Sequence, residues 1–145
     1  MSPILADVVW PALLLAGRLA AWWCIAVSIV IEAAALWRFA QWRPVKALIA
    51  SVVMNTASAF CGTLLLPLAG LRWETTASLT LNAWFGWGSF SVANEAATWL
   101  IAVILSTVIE TFVCWLVFCA PWTRRLTFVV LSANAITVLL ALLCP

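Results

Sequence analysis

The 145-residue sequence predicts an all-α integral membrane protein with four transmembrane helices arranged as two tandem helical hairpins, a parallel internal repeat. Three observations predict it. The chain is 67% hydrophobic and 8% charged with a mean hydropathy of +1.17, whereas a water-soluble domain carries about a quarter of its residues as charge. Apolar runs of membrane-spanning length recur along it. One pattern of acid, cation and amide occurs twice, at matched spacing. Four crossings of about 20 residues each use most of the chain and leave no separate soluble domain. Disordered, collagenous and disulfide-scaffold classes are excluded by the same composition.

The elements follow in order. Residues 4–17 are apolar but interrupted by Asp7 and Pro11, too short to cross unaided, and are expected to lie at the interface or to extend the first span outward. No basic residue precedes them, so they do not read as a cleaved leader. The first span is expected over 19–41, after Arg18, and the second over 46–68, opened by Lys46 and closed near Pro67 and Gly70. Residues 71–94 read as the one long loop, polar and turn-rich through Arg72, Glu74, Thr75, Thr76, Ser78, Asn82, Gly86, Gly88 and Ser89. The third and fourth spans are expected over 96–120 and 125–143. Repeat one thus covers about 19–69, a Trp-rich loop about 70–95, and repeat two about 96–145.

Eleven tryptophans are mostly interfacial anchors in this reading. Trp73, Trp84 and Trp87 rest the long loop on the headgroups; Trp22, Trp23 and Trp99 mark one surface, and Trp37, Trp42 and Trp122 the other. Arg38, Arg43 and Lys46 fall in one short turn and Arg124 and Arg125 in the other, against Arg18 and Arg72 on the opposite side. Five cations against two put both short turns in the cytoplasm, with both termini and the loop outside a plasma membrane. The five are topology determinants, with binding of anionic lipid headgroups as the sharper alternative.

The repeat points to the membrane centre. Ser28, Val30, Ile31, Glu32 and Trp37 recur as Ser106, Val108, Ile109, Glu110 and Trp115, an offset of 78 residues. Lys46 precedes Asn55 by nine residues, and Arg125 precedes Asn134 by nine. At 1.5 Å per residue, Glu32, Asn55, Glu110 and Asn134 all lie roughly 13 to 14 Å from the basic turns. Neighbours joined by short turns pack antiparallel, so each Glu is expected to meet the Asn of its own hairpin. Ser51, Asn55, Ser58 and Gly62 form one small polar stripe, and Asn134 and Thr137 share a face of the fourth span. Ser28 and Ser106 stand one turn before the two glutamates. A carboxylate at the bilayer centre costs about 2.5 to 3.5 kcal/mol on insertion scales, and no Lys or Arg is expected at that depth, so both carboxyls are expected to hold their protons.

A net charge of +2 implies no nucleic-acid partner. His and Tyr are absent, and there is no H-E-x-x-H, C-x-x-C, phosphate loop or G-x-S-x-G; G-W-G-S-F at 86–90 lacks the elbow spacing. No catalytic residue, metal site or cofactor is therefore expected. The five cysteines are odd in number and sit mostly in apolar runs as small hydrophobes. Two functional readings remain. One is a non-catalytic accessory or structural subunit of a membrane assembly, its hairpins locked by the buried Glu/Asn pairs. The other is a small proton- or cation-coupled transporter or channel using Glu32 and Glu110. The expected partners are the lipid bilayer and another membrane protein or a second copy of the chain.

Overall fold

The computed structural model describes residues 14–73, 75–76, 79–85 and 92–143. The stretch before residue 14, Cys144, and the loop residues Glu74, Ser78, Trp87, Gly86, Gly88 and Ser89 lie outside them. The regular elements described are helices: α1 (Trp22–Arg38), α2 (Pro44–Trp73), α3 (Leu79–Phe85), α4 (Val92–Phe118) and α5 (Arg124–Leu143). Three stretches are long and apolar enough to cross a membrane, Pro44–Trp73, Glu95–Phe118 and Arg124–Leu143.

The first expected span, 19–41, is shorter in the structure. Helix α1 has 17 residues, about 25 Å of rise against a hydrocarbon slab of about 30 Å. Its N-terminal boundary is set by Ala21, whose backbone is extended. Residues 14–19 form a separate helical stretch, and Leu15 and Ala16 bury themselves against Leu66, Ala102 and Val138. This part of the N-terminal segment is therefore packed into the bundle.

Helix α2 runs past Pro67, where the sequence suggested a close, and continues to Trp73. Proline removes one N–H from the ladder, yet the helix continues for six residues beyond it. Beyond Trp73 the Thr75 hydroxyl donates to the Leu71 carbonyl at 2.9 Å and the Thr76 hydroxyl to that of Arg72 at 2.7 Å. These bonds occupy carbonyls that the helix end leaves without partners. The expected loop over 71–94 also holds α3 and the start of α4, so it is largely helical where it is described.

The two short turns close alike. Gln41 (φ 61°) and Cys119 (φ 50°) both take the left-handed conformation. The Trp42 N–H donates to the Leu36 carbonyl and the Ala120 N–H to the Cys114 carbonyl, each at 3.2 Å, a bond that reaches back six residues, one more than in a Schellman motif. Pro44 then opens α2, a position where no N–H is needed. In α5 the Leu126 N–H donates to Thr123 Oγ1 at 3.2 Å, an N-cap.

Helix α1 packs against α2 and α5, and α4 packs against the same two, which closes a ring of four. Leu36, Ala47, Ala50, Met54, Cys114, Leu126 and Val130 form an apolar cluster on the turn side, where the Cys114 thiol meets the Met54 sulfur at 3.1 Å. The cluster around Leu66, Ala102 and Val138 fills the other end. Trp22, Val30, Phe60, Leu64, Leu100 and Phe128 point outward and are exposed, while Ser28, Glu32, Ser51, Asn55, Glu110, Thr111 and Asn134 are buried. That distribution inverts the usual pattern of a water-soluble bundle.

A left-handed backbone costs a non-glycine residue roughly 1 to 2 kcal/mol. Cys119→Gly is accordingly expected to stabilise the protein by about 1 kcal/mol in reversible detergent unfolding. Gln41→Gly should gain less, because it deletes the bond from Gln41 Nε2 to the Arg38 carbonyl at 2.9 Å.

Candidate functional site

Between the two apolar clusters lies a polar layer. Glu32 and Glu110 are each only 1% exposed. The five-residue connection over 39–43 returns α2 alongside α1, so Asn55 Nδ2 donates to Glu32 Oε2 at 2.7 Å and the Ser51 hydroxyl approaches the same oxygen at 3.4 Å. Ser51 also donates to the Ile29 carbonyl at 2.8 Å, and the Asn55 amide to the Ser51 carbonyl at 2.9 Å. In the second hairpin Asn134 Nδ2 donates to Glu110 Oε2 and reaches the Val130 carbonyl at 3.2 Å. Each amide thus ties an acid on the neighbouring helix to its own helix backbone.

The two carboxyls come from helices on one diagonal of the ring and adjoin each other at its centre. Glu32 Oε1 has no hydrogen-bond partner among the described residues. Two carboxylates only repel, while a proton on either one turns the contact into a hydrogen bond.

The remaining expected residues divide. Ser58 on α2 faces the Glu110 carboxyl of the other hairpin, not Glu32. Ser28 turns its hydroxyl to the Cys24 carbonyl at 2.9 Å and so gives it to its own backbone. Ser106 is half-buried, and Thr137, 5% exposed, has no partner for its hydroxyl among the described residues. Ser28, Asn55, Ser58, Ser106, Asn134 and Thr137 all line one cavity of about 40 Å³, with Glu110 at its wall. A volume of that order admits a few water molecules at most. Gly62 borders it, and a Cβ built there would meet nothing within 4 Å, so the glycine widens the space.

Arg38, Arg43, Lys46, Arg124 and Arg125 are all exposed at the turn end, remote from the layer. Arg38 lies 5.9 Å from the Phe39 ring centroid and Lys46 Nζ 4.6 Å from that of Trp42. Sequence reasoning missed Thr111, which is buried with an unpartnered hydroxyl among the described residues. Its place directly after Glu110 was the available signal. No group of three or more His, Cys, Asp or Glu among the described residues could hold a metal ion.

Interhelical polar pairs in apolar surroundings contribute about 0.6 to 2 kcal/mol. A double-mutant cycle of Glu32→Leu with Asn55→Leu should return a coupling in that range, as should Glu110→Leu with Asn134→Leu. The crossed cycle of Glu32 with Asn134 should return a smaller one.

No family model, curated protein or solved structure matches this chain.

Proposed function

We propose that the chain is a non-catalytic integral membrane protein of two tandem hairpins, serving as an accessory or structural subunit of a membrane assembly. In this reading α1, with the helical stretch before it, makes a fourth crossing, and the buried Glu/Asn pairs hold the two hairpins in register. The observation that carries it is the pair of Glu–Asn bonds meeting at the bundle centre, closed on the turn side by packed apolar side chains. Such a layer fixes which helices pair and at what depth, and the seal leaves it no path to the turns. The outward apolar and inward polar distribution supports insertion in lipid.

The duplication has support beyond the residue pattern. The left-handed residues Gln41 and Cys119, and the closing bonds at Trp42 and Ala120, stand at the 78-residue offset that relates Glu32 to Glu110. The excess of cations at the turns supports a cytoplasmic position for both, in a plasma membrane, with the termini outside.

A second reading, a proton or small-cation path through Glu32 and Glu110, is favoured by one feature. The unpartnered Thr137 hydroxyl lines a polar cavity that reaches Glu110.

Glu32→Gln with Glu110→Gln separates the two. Gln preserves hydrogen bonding, so the structural reading expects unchanged folding and assembly, and no proton or cation flux in proteoliposomes from either protein. Flux in the native protein that the double variant loses would overturn it in favour of the second reading. For topology, Cys119 is exposed in a turn, and in a Cys144→Ser background an impermeant maleimide should label it from the cytoplasmic side only.

A further inference from the structure

The geometry points to a binding site for a phospholipid with an anionic headgroup, in an open groove between α1 and α5. The site is independent of the Glu/Asn layer and rests only on the membrane reading. The groove encloses about 700 Å³. Its floor is made of small residues, Ala35, Ser132 and Ala133, and its sides of Phe39 and Phe128. Arg124 and Arg125 stand at the turn end, and Ile31 and Ile136 at the inner end. From Arg125 to Ile136 the helix rises about 16 Å, which matches one leaflet of a hydrocarbon slab about 30 Å thick. A groove of that length, apolar along its run and cationic at one end, has the dimensions and polarity of an acyl chain with its phosphate.

The charge at the mouth is uncompensated. No Asp or Glu occurs between Glu32 and Glu74 or anywhere after Glu110, so the turn surface carries Arg38, Arg43, Lys46, Arg124 and Arg125 without an acid. Arg124 and Arg125 also occupy the first turn of α5, where cations oppose the helix dipole. A phosphate between them offsets both effects. A protein helix laid in the same groove would satisfy its apolar part but leave the two guanidinium groups without an anion.

The two hairpins differ in side-chain size at this groove. Ala133 stands where the first hairpin has Met54, on the 79-residue offset that relates Asn55 to Asn134. Met54 is fully buried against Cys114 between α2 and α4. The shorter Ala133 stands on the groove between α1 and α5.

The experiment is native mass spectrometry of the full chain in detergent, with dioleoyl phosphatidylglycerol, dioleoyl phosphatidylcholine and glycerol 3-phosphate as probes. A basic residue at an anionic surface contributes about fivefold in affinity, so two give a preference of about 25-fold for the glycerol lipid over the choline lipid. Arg124→Gln with Arg125→Gln should bring the ratio close to one. Arg43→Gln with Lys46→Gln, which removes the same charge outside the groove, should leave it intact and controls for folding and general electrostatics. Ser132→Leu, which fills the floor, should weaken both lipids and keep their ratio. Glycerol 3-phosphate, having no chain, should bind at least tenfold more weakly than the glycerol lipid. Equal binding of the two lipids would overturn the site, as would a preference that survives in the Arg124/Arg125 variant or is lost equally in the control. Glycerol 3-phosphate binding as tightly as lipid would reduce it to a phosphate contact and overturn it. A lipid-free dimer cross-linked through Ser132→Cys would assign the groove to a second copy instead.

Discussion

The structure depends on one constraint: polar side chains inside an apolar bundle must find each other. In the proposed membrane setting, leucine against leucine is worth little more than leucine against a lipid tail, so apolar packing alone does not tell one helix pairing from another. A carboxyl left alone at the same depth is costly in every wrong arrangement. Glu32 and Asn55 bond across α1 and α2, and Glu110 and Asn134 across α4 and α5. Because the two acids also adjoin each other, the hairpins are set at a common level. Ser58 of α2 lines the same cavity as Glu110.

The near equivalence of the halves breaks down where function can attach. Both turns use a left-handed residue and the same closing bond, and both acids take an amide partner. Some differences lie in side-chain volume, with Met54 against Ala133 at the groove and Gly62 against Ala141 at the polar cavity. Another lies in hydrogen bonding, since Ser51, bonded to the Ile29 carbonyl, stands where the second hairpin has Val130.

Much of the polar layer could be read from the sequence, for a physical reason. Charged and amide residues are so rare in this chain that each Glu or Asn inside an apolar run must answer for its burial, and helical rise fixes its depth. Glu32, Asn55, Glu110 and Asn134 accordingly appear together on paper and in space. Local competition was harder to read. Ser28 gives its hydroxyl to the backbone at Cys24, an option open to any serine in a helix and invisible to spacing. Helix ends were also misjudged. Pro67 reads as a stop, yet α2 runs on to Trp73, losing the one bond that proline cannot donate. The shortness of α1 rests on an extended backbone at Ala21, for which no glycine or proline gave notice.

The arrangement of the layers bears on what the carboxyls are for. On the far side the polar cavity extends from Glu110 toward Ala16, Leu66 and Ala102. On the turn side Leu36, Met54, Cys114 and Val130 are buried and packed together directly beneath the acids, and some 13 Å of helix separates the acids from the basic turns. Ser51 and Thr111 carry hydroxyls beside the acids, and beyond them lies the packed cluster, where thiol and thioether are occupied with each other. Conduction in this conformation would need that cluster to part, at the expense of the packing that holds both turns. The proposed lock needs no such movement, since it asks only that the cluster stay packed, as its side chains are here.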